Sequence, residues 1–557
     1  MPNAASQDPT QSSPGLSGEL PGGLPGRHDG TSPPDRASSG SPRRIIAPHA
    51  TLDYDLLVIG GGINGAGIAR DAAGRGAKVL LVEKDDLASH TSSASTKLIH
   101  GGLRYLEYYE FRLVREALNE RERLLRIAPH IIWPMRFILP HSSMLRPAWL
   151  LRAGLFLYDN LCRHMTLPKT RNIALQNEKA GQVLKPDYVR GFEYSDGWVQ
   201  DSRLVALNVM DAARLGADIR TRTRFVAATR HENSWHAIIE DETSGACTSV
   251  TAKAIVNAAG PWVAELLHDR LDIRSRNAVR LIKGSHIVVP RLFDTPQAYI
   301  LQNPDKRIVF AIPYEGRFTL IGTTDIPFDR DPDHVAITTE EIDYLCTSVN
   351  RYFRKAITAD DVVWSYSGVR PLYDDHSGSA SAVTRDYVLD LDHAAAPVLS
   401  VFGGKITTYR KLAEHALEKL APHLGVLRKP SWTADAPLPG GDFHRSAFGS
   451  LVADLIRILP TLDRSTATRL VRNYGTLAFS IIGSDREAPG LGALIGADLH
   501  EREVDYLMDR EWARTPEDIL WRRSKLGLFL TPDDVTRLQD YMSRRERTNE
   551  TATSAVA

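Results

Sequence analysis

The chain has 557 residues, of which 43% are hydrophobic and 24% charged; this is an ordinary soluble composition, too long for one simple core, so two or more domains are expected. Its 68 basic and 68 acidic residues cancel to zero formal charge, which excludes a global pull toward nucleic acid and leaves any membrane contact to a local patch. No run of about 18 apolar residues exists to span a bilayer, and the scattered Cys162, Cys247 and Cys346 offer neither a disulfide framework nor a zinc knuckle.

Pro, Gly and Ser make up 24 of the first 49 residues, with no Phe, Trp or Tyr among them. Such a stretch cannot bury enough apolar surface to offset its ordering entropy, so 1–50 reads as a disordered extension. Arg43-Arg44 is followed by Ile45, Ile46 and Pro48 rather than an apolar core, and is no export signal. Order starts near Asp53, with Leu56 to Ile59 as a short buried strand. Lys78 to Val82 and Ala254 to Val256 read as inner strands of a parallel sheet, and Glu110 to Arg126 as an amphipathic helix through Val114, Leu118 and Leu125. The stretch Arg146 to Tyr158 mixes cations, Trp149 and leucines; it suits either a helix lying at a membrane interface or a core helix.

Ser285 to Val289 and Phe318 to Gly322 have the flavour of an antiparallel sheet covering the first domain. Past a hinge at Pro437 to Gly441 the pattern is wholly helical. Val452, Leu455, Ile456 and Leu459 make one stripe, Ser465 can cap a second helix ended by Gly475, and Thr515-Pro516 and Thr531-Pro532 each open a helix. The expected class is therefore α/β: a Rossmann-like domain with an antiparallel cap over 51–435, a helical domain over 436–547 and a loose tail over 548–557. Within the first, 53–130, 198–270 and 365–432 form the nucleotide-binding part, and 131–197 and 271–364 the cap.

The strongest local motif is Gly60-Gly61-Gly62-Ile63-Asn64-Gly65, a GxGxxG straight after a strand. Glycines there allow a tight turn and close approach of a pyrophosphate at the next helix N-terminus. Gly67 and Ala66 keep that helix close to the sheet, and Glu83, ending the following strand, can accept from ribose hydroxyls. The hydroxyl- and glycine-rich run Thr91 to Gly102, with Ser92, Ser93, Ser95, Lys97, His100 and Gly101, can wrap a long cofactor. Gly260 after Asn257 and the block Gly403-Gly404-Lys405 with Thr407 add small-residue approaches to a flat ligand.

The blocks GGGINGAGIARDAAGRG, TSSASTKLIHGGLRYLE, RLIKGSHIVVP, YSGVRPL and FGGKITTYRKLAEHALEKL resemble, in order, those of the FAD-dependent respiratory glycerol-3-phosphate dehydrogenases, from about Asp53 into the C-terminal helices. That resemblance implies FAD as cofactor, oxidation of sn-glycerol 3-phosphate to dihydroxyacetone phosphate by hydride transfer from C2, and a membrane quinone as electron acceptor. It carries over Arg104, Tyr105, Arg370, Arg385 and Lys405 as substrate groups, with His286 as acceptor of the C2 hydroxyl proton beside Arg370 and Lys405. The Gly322 to Asp325 block also belongs to the family pattern that the resemblance implies, with the fixing of a turn as the alternative role for Asp325. No metal and no nucleic acid are expected, a homodimer is, and the protein should be cytoplasmic or attached to the inner face of the plasma membrane. An oxidase returning electrons to oxygen, a hydroxy- or amino-acid substrate, and a flavin-bound interaction module are the rival readings.

Overall fold

A computed structural model describes residues 53–556 apart from 142–146, 163, 375–385 and 484–487. The extension 1–50 and Arg385 thus lie outside the described residues, as do the side chain of Arg104 and those beyond 548.

Tyr54–Ile59 runs parallel between Cys247–Asn257 and Val79–Val82, and Leu56, Leu57 and Val58 are wholly buried. The sheet continues in the order Val388–Asp392, Val398–Phe402, Cys247–Asn257, Tyr54–Ile59, Val79–Val82, Asp218–Arg220, parallel except for its first strand. Near-continuous Val, Leu and Ile runs suit strands covered on both faces. The helices Ile63–Gly74, Asp201–Arg214 and Tyr409–Leu420 pack together on one of them. Gly67 does not serve the sheet as expected. A Cβ there would come within 2.7 Å of Tyr409 Cδ2, so the residue lets a neighbouring helix close in.

The second sheet has ten strands, and Val279–Pro290 lies in it between the antiparallel partners Trp364–Tyr373 and Phe318–Gly322. Apolar residues lie on both of its faces, one layer against Thr339–Tyr352 and the other toward the cofactor domain. Residues 282–289 are consequently all buried and show no alternation.

In the C-terminal domain, Phe448–Ile458, Arg464–Tyr474, Glu501–Arg510 and Pro532–Val556 enclose a core around Leu455, Leu470, Tyr474, Leu507 and Leu538. It is not wholly helical, because Leu494–Gly496 and Leu499–His500 pair as a small hairpin. Asp463, not Ser465, caps the second helix: its carboxylate accepts from the Ser465 and Thr466 amides at 2.8 and 3.0 Å. The last helix runs on to Val556, through the span expected to be loose. Ala148–Asn160 is a helix that buries Leu155 and Tyr158 but leaves Trp149, Leu150, Phe156 and Leu157 between 41% and 71% exposed. It touches the short helical turn Leu103–Tyr108, whose neighbours Tyr109 and Phe111 are also exposed.

Candidate active site

Glycine geometry opens the site at the C-terminal edge of the parallel sheet. Gly60 has φ +110°, and a Cβ on Gly65 would meet the Gly60 carbonyl oxygen at 2.0 Å, so strand, turn and helix can approach only without side chains. Gly62 precedes Ile63–Gly74 with no side-chain cap, and the Ile63 amide donates to Ser92 Oγ at 3.0 Å. This leaves a helix N-terminus on a cavity wall, where its partial positive charge favours an anion. Glu83 accepts from the Gly61 and Asp85 amides at 2.6 and 2.9 Å, and burial pushes its carboxyl up.

The cavity holds about 610 Å³ and is walled by Gly60, Gly62, Glu83, Ser92, Ser95, His100, Tyr105, Gly260, Arg370, Gly403, Gly404, Lys405 and Thr407. Most of the residues expected from the sequence therefore converge on one space. Asn64 supports a fit to a dinucleotide. Its Nδ2 donates to the Gly403 carbonyl at 3.2 Å, while its buried Oδ1, on the same wall, has no hydrogen-bond partner among the described residues. A ligand donor there would satisfy it. His90, Thr91 and Trp262 also face the cavity; nothing in their local sequence beyond the polar run signalled this.

Gly65, packed against the Gly60 carbonyl, is not on that wall, and neither are four other expected residues. Ser93 donates its hydroxyl to the His90 carbonyl at 3.2 Å, and Gly101 is packed under Leu118 and Tyr158. Lys97 has φ +59°, which turns its side chain inward. Its ammonium is 1% exposed and bound to both Asp201 oxygens at 2.9 Å. It ties the loop to Asp201 and to the Ser93 carbonyl.

His286 is the fourth. It is wholly buried in the second sheet, stacked on Tyr366 at 4.7 Å and 13°, with Nε2 3.0 Å from Thr96 Oγ1 and Nδ1 unpartnered among the described residues. Burial, and after it Arg370 and Lys97, hold its pKa well below the ordinary imidazole value. Gly322 on the adjacent strand makes the room, since a Cβ there would lie 2.0 Å from His286 Cδ2. The imidazole walls neither the first cavity nor a second one of about 270 Å³, which Thr96 lines.

That second cavity adjoins the first through His100, Tyr105 and Arg370, which wall both. Arg370 is oriented there by Asp325 Oδ1 at 2.9 Å and Thr323 Oγ1 at 2.8 Å. Asp325 does more than fix a turn. Gly284 is required beside it, because a Cβ would stand 2.2 Å from Arg370 Nη2. The Lys405 ammonium sits over the Tyr105 ring at 4.1 Å. Two cations and an imidazole thus meet at the junction, a setting for a phosphate-bearing polyol. The rest of the second cavity is mostly Leu, Ile, Phe and Tyr, with Tyr108 and Glu110 near the exposed Tyr109 and Phe111.

Comparison with known proteins agrees with this geometry. Residues 55–410 match the family described as FAD dependent oxidoreductase, and 431–549 the C-terminal domain of alpha-glycerophosphate oxidase. The chain is 54% identical to a glycerol-3-phosphate dehydrogenase of Pseudomonas aeruginosa over 89% of its length and 96% of the relative's. It is 53% identical to a D-erythritol 1-phosphate dehydrogenase of Brucella abortus, over 86% and 95% of the two chains. The structure of the glycerol-3-phosphate dehydrogenase from Bacillus halodurans complexed with FAD superposes with a TM-score of 0.67 at 27% identity, covering 88% of this chain and 94% of that one.

Proposed function

The chain belongs to the FAD-dependent oxidoreductases, and from that footing we propose that it oxidises sn-glycerol 3-phosphate to dihydroxyacetone phosphate. The observation that carries this reading is the convergence of Arg370, Lys405, Tyr105 and His100 on the wall of the same cavity as the Gly60 turn. Bound FAD supplies the acceptor for the hydride leaving C2. The protein's part is to hold the phosphate, orient the polyol and take the hydroxyl proton.

Arg370, fixed by Asp325 and Thr323, presents a planar fork suited to a phosphate, and Lys405 adds a point charge beside the Tyr105 ring. His100 is the imidazole that walls both cavities and takes the role of base; a base there contributes about 10²–10⁴-fold. His286 acts at one remove, orienting the Thr96 hydroxyl. Anaerobic bleaching of the bound flavin by sn-glycerol 3-phosphate, and not by glycerol, tests the reading.

A quinone acceptor and attachment to a membrane surface complete the proposal. Their support is the exposed apolar residues Tyr109, Phe111, Trp149, Leu150, Phe156 and Leu157, on two touching segments of which one also supplies Tyr108 and Glu110 to the second cavity. Among the described residues no helix is long and apolar enough to cross a membrane. A homodimer remains part of this reading, and light scattering tests it.

One observation favours a second substrate. The relative named for D-erythritol 1-phosphate is nearly as similar as the one named for glycerol 3-phosphate, and Arg370 also walls the second space of about 270 Å³. The ratio of kcat/KM for the two phosphates decides which is preferred.

A further inference from the structure

The loop carrying Glu83, Ser92 and Ser95 is gripped by residues that come from outside the cofactor domain. Asp86 accepts from Arg522 Nε at 2.6 Å and from Arg523 Nη1 and Nη2 at 2.7 Å each. Asp86 is 2% exposed and Arg523 1%, so this ion pair is shielded from water and from salt. The Asp86 carbonyl in turn accepts the Ser89 hydroxyl at 2.7 Å, at the start of the hydroxyl-rich run.

The far end of the loop is held in the same way. Asp201 gathers the Ser95 hydroxyl at 2.7 Å, the Lys97 ammonium and the Ser202 amide at 2.9 Å. Lys525 reaches this knot from the helical domain, its Nζ 3.3 Å from Ser202 Oγ and also bonded to the Trp521 carbonyl. Burial, then the nearby Lys97 charge, pushes the Lys525 pKa down to about 7. Trp521 stacks on Trp364 of the cap at 4.3 Å and 16°, and Asp518 pairs with Arg222 at 2.7 Å, so the segment is anchored on both sides.

We propose that Arg522, Arg523 and Lys525 are positioning residues for the cofactor: the helical domain holds the 83–97 loop closed around the dinucleotide. A plain interdomain joint would use any pair of surfaces. Here Arg522 and Arg523 bind Asp86 at one end of the loop and Lys525 reaches Ser202, next to Asp201, at the other, and the cavity wall on that loop includes Glu83, Ser92 and Ser95. An open loop loses contacts with the dinucleotide, so weakening the grip raises the rate of FAD release. The inference rests on the FAD reading above.

The test uses the full-length holoenzyme and the variants Lys525→Met, Lys525→Arg and Arg522→Gln. FAD release after dilution is followed by the rise in flavin fluorescence, and the thermal midpoint is recorded with and without added FAD. Release should be about tenfold faster or more in Lys525→Met and Arg522→Gln, with Lys525→Arg closer to the parent. The thermal midpoint should fall further in the presence of added FAD than in its absence, because the stabilisation that the cofactor gives is what the loosened loop loses. Release within twofold of the parent in both Lys525→Met and Arg522→Gln, or equal losses of midpoint with and without FAD, would overturn the proposal. A parent protein purified without FAD and unable to bind it would instead defeat the cofactor reading.

Discussion

His286 Nε2 lies 3.0 Å from Thr96 Oγ1, and it is the hydroxyl, not the imidazole, that meets the substrate-side cavity. The imidazole is wholly buried and its pKa lies well below the ordinary value. It therefore stays neutral as pH falls through about 6.5 and cannot produce a low-pH limb there. Stopped-flow flavin reduction should stay near the parent's rate in His286→Asn and fall by about 10²-fold or more in His100→Asn. The reverse pattern would return the base role to His286.

Arg370→Ala should lower kcat/KM for the phosphate by about ten- to over a hundredfold while flavin stays bound, since a charge-assisted hydrogen bond is worth roughly 1.5–3 kcal/mol. Gly284→Ala should imitate it, because the new Cβ would stand 2.2 Å from Arg370 Nη2. Steady-state rates with glycerol beside its phosphate check both. If glycerol gains nothing relative to the phosphate, Arg370 does not read the charge.

Gly62→Val puts a branched side chain at the uncapped helix start beside Ser92 Oγ, which already lies 3.2 Å from a built Cβ. The expected product is a folded, colourless protein. Circular dichroism with a flavin spectrum reads both halves of that statement, and a yellow variant with normal flavin content contradicts it.

Trp149→Ser combined with Phe156→Ser removes two of the most exposed apolar groups, 71% and 58% accessible. Sedimentation with anionic lipid vesicles should fall, while reduction of a soluble dye by the purified protein holds. Unchanged vesicle binding would take the membrane face elsewhere.

His130 is wholly buried, its ring nitrogens have no hydrogen-bond partner among the described residues, and burial, with Arg203, holds its pKa down to about 3. Between about 6.5 and 3 the unfolded chain takes a proton that the folded one refuses, so stability falls as pH drops through that window. His130→Leu removes this penalty. Its thermal midpoint should rise relative to the parent's on going from about pH 7 to pH 5, and a constant difference across that range would contradict the assignment.

Sequence revealed what depends on local backbone and chemistry. The Gly60 turn, Glu83 and the glycine-flanked Arg370 carry their purpose in adjacent residues, and all three are on the cavity wall. His286 and Lys97 lie off that wall for different reasons. A strand covered on both faces shows no alternation, so nothing local tells which side of Val279–Pro290 meets the cavity. The φ of +59° that buries Lys97 belongs to a non-glycine residue and leaves no mark in the sequence. Arg522 and Arg523 look like solvated helix charges because their partner Asp86 is more than 430 positions away.

The central claim is that the junction of Arg370, Lys405, Tyr105 and His100 delivers a phosphorylated polyol to FAD. Anaerobic titration of the purified holoenzyme with sn-glycerol 3-phosphate, followed through the flavin absorption band, tests it most directly. Full bleaching by the phosphate with stoichiometric formation of dihydroxyacetone phosphate, and none by glycerol at the same concentration, is the predicted result. A flavin that stays oxidised under the phosphate, in a protein that carries FAD, would contradict it.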